Sequence, residues 1–364
     1  AGIRANTGSV SLDRTVYPVP WGTVADIALG TTGGISSGGF SIFPIHATGI
    51  VVPIGATETL EGGDVVVHIR VNDPDFDVSA SGEDKISLVT NRTQVTGAND
   101  GPVKITISRG QNSLVLGTAG APTTSGTKIT QGTNVAFDTR EFGPLTEIAP
   151  DAGIFELDAA IRYTDGPLST ICPTTGSYLS AVNATRSANP LQRFSAPVPT
   201  AATGNFCLLQ GDIITVEYTD PTDASGDPNT VTDSATFDLR NGVLQSDKSV
   251  YIIGADMILT VIEPDWDRDN DGAETYDLDA IEWDSDAATV TMGNAGGQGA
   301  QFDPEPSSLR ETGDSTGIFQ VVIEIPSTLN GDKLERGEEV VLEYTDWGPS
   351  GADFVGDEDE DINL

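Results

Sequence analysis

The stretch from Glu263 to Asp279 reads Glu-Pro-Asp-Trp-Asp-Arg-Asp-Asn-Asp-Gly-Ala-Glu-Thr-Tyr-Asp-Leu-Asp. Asp265, Asp267, Asp269 and Asp271 alternate with other residues, and Gly272 closes the run. Carboxylates this close repel one another unless a cation lies among them. A hard divalent ion such as Ca²⁺ takes six to eight oxygens, and alternate acids ahead of a turning glycine deliver several from one short loop. From Asp267 the pattern matches the start of an EF-hand loop, with Asp267, Asp269 and Asp271 at its first, third and fifth positions and Gly272 at its sixth. The twelfth position is Leu278 instead of Glu, and no amphipathic helix flanks the run. The EF-hand itself therefore fails, and the spacing predicts a calcium loop between β-strands, with Mg²⁺ as an alternative ion. Glu263, Asp277 and Asp279 complete the candidate ligand set. A solvated acidic loop without metal is the competing reading.

Composition points the same way. Among 364 residues there are 18 Lys and Arg against 55 Asp and Glu, a net charge of −37. Such a surface repels nucleic acid and anionic membranes and attracts cations. It suits a salty medium, where self-repulsion is screened within about 8–10 Å. No apolar run approaches the roughly 20 residues needed to span a bilayer, so no direct membrane insertion is expected of this segment. The chain opens Ala1-Gly2-Ile3, which fits a mature or excised piece of a longer protein.

The elements that must position these acids are strands. Val65–Val71, Val103–Ile107, Ile213–Tyr218, Val250–Ile253, Met257–Ile262, Ile318–Ile325 and Glu339–Tyr344 are short and rich in β-branched residues, and Gly, Pro, Asn or Asp bound them. No convincing helix of ten residues appears, so the expected class is all-β. The chain also repeats itself. Asp13-Arg14-Thr15-Val16-Tyr17 resembles Asp247-Lys248-Ser249-Val250-Tyr251, at an offset of 251 − 17 = 234. Asn72-Asp73-Pro74-Asp75-Phe76-Asp77 resembles Ile262-Glu263-Pro264-Asp265-Trp266-Asp267, at an offset of 267 − 77 = 190. Glu83-Asp84-Lys85-Ile86 is aligned with Leu278-Asp279-Ala280-Ile281, offset 281 − 86 = 195. Glu147 before Gly153-Ile154-Phe155 resembles Glu311 before Gly317-Ile318-Phe319, offset 311 − 147 = 164. Glu217-Tyr218-Thr219-Asp220 resembles Glu343-Tyr344-Thr345-Asp346, offset 346 − 220 = 126. Matches in one order predict two copies of one unit, residues 1–232 and 233–364. About seven strands in the compact second copy suit an Ig-like β-sandwich.

Where the offset drops, the first copy carries insertions, near Thr23–Gly62, near Val95–Thr139 and in the stretch holding Cys172 and Cys207. They are expected to be surface loops or extra hairpins. A disulfide between Cys172 and Cys207 would close the last of them and stabilise it by about 3 kcal/mol on the chain-entropy model. Two thiols or a metal-binding pair are the alternatives. An even cysteine pair with the sequons at Asn91 and Asn183, candidate glycosylation sites, points to an oxidising exterior.

The repeat brings further acids into the candidate metal set. Asp73, Asp75 and Asp77 align with Glu263, Asp265 and Asp267, and they would share one face if the backbone stays extended. Asp220 and Asp346 recur at strand ends, and Glu147 and Glu311 recur ahead of the Gly-Ile-Phe strands. In each copy the acidic turn is expected to share a cation with one or more of these distant acids. The competing role for Asp220 and Asp346 is turn formation at a strand exit.

Catalytic readings are weaker. Gly34-Ile35-Ser36-Ser37-Gly38 fits a serine-hydrolase string but lacks its strand–elbow–helix context, and His46 and His68 are the only histidines. Paired carboxylates for glycoside hydrolysis are available, yet aromatics to line a sugar cleft are few. Phosphate-loop, dinucleotide and zinc spacings are missing. The chain is therefore expected not to be an enzyme. Trp21, Trp266, Trp283 and Trp347 are expected to pack or to anchor loops.

Asp13–Gly22 (Asp-Arg-Thr-Val-Tyr-Pro-Val-Pro-Trp-Gly), the Pro-Asp-aromatic-Asp turns, and the paired Gly-Ile-Phe and Glu-Tyr-Thr-Asp segments resemble archaeal surface-layer proteins. The likeness is greatest to the large acidic S-layer proteins of ammonia-oxidising archaea. It implies tandem Ig-like domains, glycosylation, divalent-cation binding and assembly with other copies into a porous sheet at the cell surface. A strongly negative sheet would also concentrate small cations, ammonium included. The alternative is a cell-surface adhesin built from the same repeats.

Overall fold

The computed structural model describes residues 5–21, 63–90, 100–122, 125–129, 139–161, 179–181, 208–293, 299–353, 355 and 358–364. These residues are all-β, with short 3-10 turns and no α-helix among them. No helix in this set is long and apolar enough to cross a membrane. Contacts divide the chain into two units. The first holds Ala1–Tyr17, Asp64–Thr164 and Thr170–Asp238; the second holds Pro18–Gly63, Asp165–Ser169 and Leu239–Leu364.

The first unit runs β1 (Ser9–Leu12), β2 (Val16–Pro18), β3 (Val65–Asn72), β4 (Lys85–Ile86), β5 (Val103–Arg109), β6 (Asn112–Ala119), β7 (Ser125–Ile129), β8 (Thr139–Glu141), β9 (Leu145–Glu147), β10 (Ile154–Ile161), β11 (Leu179–Ala181), β12 (Ile213–Asp220) and β13 (Asn229–Asp238). One sheet has the order β1-β3-β10-β9-β4, with β11 also on β10, and the other β2-β13-β12-β5-β6-β8-β7. The second unit runs β14 (Val243–Ser246), β15 (Asp256–Ile262), β16 (Thr275–Tyr276), β17 (Ile281–Ser285), β18 (Thr289–Thr291), β19 (Glu305–Glu311), β20 (Ile318–Glu324), β21 (Thr328–Leu329), β22 (Asp332–Lys333), β23 (Val340–Asp346) and β24 (Glu360–Asn363). Its sheets are β14-β15-β20-β19-β16 and β18-β17-β23-β24, beside the hairpin β21-β22.

Strand alternation builds both cores. Along β12, Ile214, Val216 and Tyr218 point inward and are fully buried, while the residues between them are not. Val67, Ile69 and Val71 of β3 and Ile105 and Ile107 of β5 likewise have no exposed surface. In the second unit Leu259, Val261, Phe319 and Trp283 do the same work.

The two units repeat each other down to the register. Asn72 pairs with Ser9 and Ile154, and Ile262 pairs with Val243 and Ile318. Phe155 pairs with Glu147 as Phe319 pairs with Glu311. Ile86 pairs with Leu145 as Tyr276 pairs with Leu309. The offsets 234, 190 and 164 hold throughout. The last of these pairs corrects one alignment: Asp84-Lys85-Ile86 corresponds to Glu274-Thr275-Tyr276, so the 190 offset persists and Leu278–Ile281 is not the partner segment.

Other expectations also shift. The boundary expected after residue 232 falls inside β13, because that strand continues to Asp238 to finish its ladder with β12. The stretch Val95–Thr139, expected as surface loops or extra hairpins, does contain the added strands β6 and β7, but it also contains β5, whose Val103, Ile105 and Ile107 are core. Val250–Ile253 is not a strand. Cys172, Cys207, Asn91, Asn183, His46 and Gly34–Gly38 lie outside the described residues.

Candidate metal centre

Each acidic turn begins where a strand of the first sheet ends. After β3, Asp73-Pro74-Asp75-Phe76-Asp77 turns through a single 3-10 turn, and after β15, Glu263–Asp267 does the same. Proline sets the first turn residue, and the preceding acid caps it: Asp75 N–H donates to Asp73 Oδ1 and Asp265 N–H to Glu263 Oε1, both at 3.1 Å. The backbone is therefore not extended, and the three acids do not share one face. The aromatic residue anchors the turn. Phe76 meets Phe155 edge-on at 6.4 Å, and Trp266 contacts Tyr276 at 4.3 Å and Phe319 at 5.3 Å.

Bending turns the first two acids to nearby hydrogen-bond donors and the third elsewhere; Asp73, Glu263 and Asp265 are buried, while Asp75 is exposed. Asp73 Oδ2 accepts from Tyr218 Oη at 2.5 Å, and Glu263 Oε2 accepts from Tyr344 Oη at 2.9 Å. Asp75 accepts from Asn6 N–H at 3.0 Å, and Asp265 from Arg240 N–H at 2.8 Å. Asp220 takes Gly8 N–H at 2.8 Å and Thr222 N–H at 2.8 Å, and Asp346 takes Gly242 N–H and Gly348 N–H, each at 2.9 Å. These six acids tie each unit's first strand to its acidic turn and to its Tyr-Thr-Asp strand. Expected as ligands, they accept hydrogen bonds from backbone and tyrosine donors, and they lie outside the close carboxylate groups described next. Burial pushes the carboxyls of Asp73, Glu263 and Asp346 upward, and for Glu263 the charges of Asp265 and Asp346 add to the effect.

The third acid has different company. Asp77 meets Asp84 and Glu147, and Asp267 meets Glu274 and Glu311; in each set one oxygen per residue lies within 4.8 Å of the others. Both sets have the same scaffold. Glu147 Oε1 accepts from Ala152 N–H and Gly153 N–H, both at 2.8 Å, and its Oε2 from Asp84 N–H at 2.9 Å. Glu311 Oε1 accepts from Thr316 N–H at 2.6 Å and Gly317 N–H at 2.8 Å, and its Oε2 from Glu274 N–H at 3.3 Å. Asp84 Oδ2 accepts from Val78 N–H and Ser79 N–H, both at 2.7 Å, as Glu274 Oε1 accepts from Arg268 N–H at 3.0 Å and Asp269 N–H at 2.8 Å. Gly153 and Gly317 sit at φ of +62° and +59°, and a Cβ on Gly317 would lie 2.9 Å from Pro264 Cα. That left-handed, close-packed position keeps the glycine beside each site.

Electrostatics record the crowding. Desolvation and then the charges of Glu147, Asp151 and Asp84 raise the Asp77 carboxyl, while the Asp84 N–H and other backbone donors lower that of Glu147. Glu274 is pushed up to about 8, by desolvation first and by its contact with Glu311 second. Its Oε2 is buried and has no hydrogen-bond donor. Two oxygens bound to one Ca²⁺ at 2.3–2.6 Å lie at most about 5 Å apart, so both sets have suitable spacing and hard oxygen chemistry for that ion or Mg²⁺. The orphaned Glu274 oxygen fits such a cation.

The remaining expected ligands lie apart from these sets. Asp269 accepts Asp271 N–H at 3.0 Å inside the loop. Asp277 caps the next 3-10 turn through Asp279 N–H at 2.9 Å, and buried Asp279 accepts from Thr291 Oγ1 at 2.6 Å. A third group, His68, Glu156 and Asp158, exists only in the first unit. His68 Nδ1 lies 3.0 Å from Asp158, Arg70 pairs with Glu156, and the corresponding positions in the second unit are Ile258, Gln320 and Val322. Sequence reasoning missed Asp84 and Glu274. Carrying the offset of 190 forward from the acidic turn, instead of shifting it to 195, was the signal that would have found them. Neither a comparison with protein-family models nor one with curated proteins finds a match to this chain.

Proposed function

We propose that the chain is a structural component of a cell-surface S-layer lattice, built of two Ig-like β-sandwich units that are each locked by a divalent cation, Ca²⁺ before Mg²⁺. The observation that carries this is the recurrence of one carboxylate triad, Asp77/Asp84/Glu147 and Asp267/Glu274/Glu311, on the same backbone scaffold at matching registers. Three acids from three places on the chain crowd together twice, and a cation is what would make that crowding favourable. The bound ion would supply charge neutralisation and a tie between the acidic turn, the start of the short strand and the strand ahead of the glycine. The chain's own residues aim the oxygens through their backbone donors.

The sheet orders support the Ig-like reading. In each unit one sheet places the first two main strands beside the later pair, and the other gathers the remaining strands, as in the two-sheet Ig arrangement. The acidity and the resemblance of the repeated motifs support a lattice at the cell exterior, with copies of the chain as partners.

Thermal melting with Ca²⁺ titration tests the reading. Saturating Ca²⁺ is expected to raise the melting temperature, with about 2.7 kcal/mol of stabilisation at 100-fold above the dissociation constant. Asp267→Asn with Glu274→Gln is expected to remove the second unit's share of that gain and to leave stability in chelator equal or higher. A melting temperature indifferent to Ca²⁺ would sink the cation lock. Electron microscopy with added Ca²⁺ tests assembly: two-dimensional arrays support the lattice, and saturable binding to a foreign glycan without arrays would favour the adhesin.

A further inference from the structure

We propose that the first unit carries a second kind of metal site, formed by His68, Glu156 and Asp158, which takes a borderline divalent ion, Zn²⁺ before Mn²⁺, through one imidazole nitrogen and two carboxylate oxygens. It shares no residue with the carboxylate triads and does not depend on them. His68 lies on β3, and Glu156 and Asp158 lie on the neighbouring β10. The ladder sets Asp158 directly opposite His68, and Glu156 directly opposite Arg70. Alternate residues of a strand share a face, so these side chains leave the sheet on the side away from the buried Val67, Ile69 and Phe155. One ligand atom from each of the three lies within 4.8 Å of the other two. His68 Nδ1 stands 3.0 Å from Asp158 Oδ1.

The second unit shows that the fold does not need these groups. Its ladder sets Ile258 opposite Val322 and Thr260 opposite Gln320, where the first unit has His68 opposite Asp158 and Arg70 opposite Glu156. Ile258 is 41% exposed, and Gln320 Nε2 donates to Thr260 Oγ1 at 3.1 Å. On one backbone, therefore, a neutral patch without metal ligands in the second unit corresponds to three ligand side chains in the first. The His68 side chain is 2% exposed, which fixes the imidazole, while that of Asp158 keeps 40% exposure and leaves an approach for an ion.

The donor set selects the ion. Ca²⁺ and Mg²⁺ favour sites made of oxygen alone, whereas an imidazole nitrogen favours Zn²⁺ and its transition-row neighbours. Ligand atoms bind Zn²⁺ at about 2.0–2.2 Å, so small side-chain rotations close the 4.8 Å set around one ion. One histidine and two carboxylates leave a fourth position for water or an exchangeable ligand. Arg70 is the competitor. Its Nε pairs with Glu156, and its side chain is 45% exposed, so the guanidinium holds the carboxylate until a metal displaces it toward solvent. Arg70 thereby sets the affinity of the site without being a ligand.

Calorimetric titration of the full chain with Zn²⁺, in a constant excess of Ca²⁺ that occupies any all-oxygen site, tests the assignment. Saturable Zn²⁺ binding is expected. Replacing His68→Ile and Asp158→Val together, the residues of the second unit, is expected to weaken it by about 100-fold or more. Arg70→Thr, again the second unit's residue, is expected to tighten it severalfold by removing the competing cation. Nitrogen-detected NMR of the imidazoles gives a readout on the unaltered protein, should the paired variant not fold. The chain has two histidines, His46 and His68, and Zn²⁺ is expected to shift the ring signals of His68. No saturable binding, His68 signals unmoved at excess Zn²⁺, or full affinity in the folded paired variant would each overturn the proposal. So would weaker binding by Arg70→Thr, since the arginine would then support the site instead of competing for it.

Discussion

The acids of each repeated turn divide their labour by position. The first accepts from the tyrosine of the Tyr-Thr-Asp strand, the second holds the residues that lead into the opening strand, and only the third reaches the triad. The acceptor cluster leaves no room around Gly242. A Cβ there would stand 2.6 Å from Glu263 Oε2 and 2.7 Å from Tyr344 Cε1. Gly242→Ala is therefore expected to destabilise the second unit by about 1–3 kcal/mol, through displacement of a buried carboxyl and a buried ring. Chemical denaturation would measure this loss, and a variant as stable as the parent would contradict the packing. The sequence made Asp77 and Asp267 legible through alternate acids, and Glu147 and Glu311 through the repeat. It could not separate ligands from caps, because a carboxylate that accepts N–H bonds and one that binds a cation are the same residue type. Asp84 and Glu274 stayed hidden because they differ from each other and follow unlike neighbours, Glu83 and Ala273.

At the scale of the element, strand signatures located most of the described core, including β3, β5, β12, β15, β20 and β23. The failure at Val250–Ile253 is informative. Its sequence has strand character, but a strand forms only with a partner, and pairing is not written in the local pattern. The outer face of the β17–β23 ladder presents a different cost. Glu282 lies directly opposite Glu343, and Asp284 and Asp361 are also near. Burial first and these charges second push Glu282 up to about 7. A carboxyl raised on folding binds more protons in the native state between its unfolded value, near 4.3, and about 7. Stability is thus expected to fall as pH rises through that window. Glu282→Gln should flatten the fall, raising the melting temperature by roughly 2–8 °C above pH 7.5 and changing little near pH 4. A variant that melts identically to the parent at both pH values would contradict the assignment.

Across the molecule, a net charge of −37 opposes compaction. Monovalent salt is expected to raise the melting temperature even in chelator, gradually and without saturation, as the screening length falls from about 30 Å at 0.01 M to about 3 Å at 1 M. Ca²⁺ should act at far lower concentration and saturate. Identical responses to Ca²⁺ and to monovalent salt at equal ionic strength would reduce the triads to ordinary surface charge. The duplication was readable from short motifs because turns, caps and strand ends constrain residue type tightly, while the boundary was misplaced because β13 outruns the motif that marks its start. The triads have a mechanical consequence. Each gathers acids far apart in the chain, 147 − 77 = 70 residues in one case and 311 − 267 = 44 in the other. An ion bound there would act as a rivet that shields those lengths from tension. Under a stretching force, rupture of the two rivets would release slack of about 25 nm and about 15 nm at roughly 3.5 Å per residue. A tensioned sheet of such molecules would thus yield in two unequal increments, each abolished by chelation.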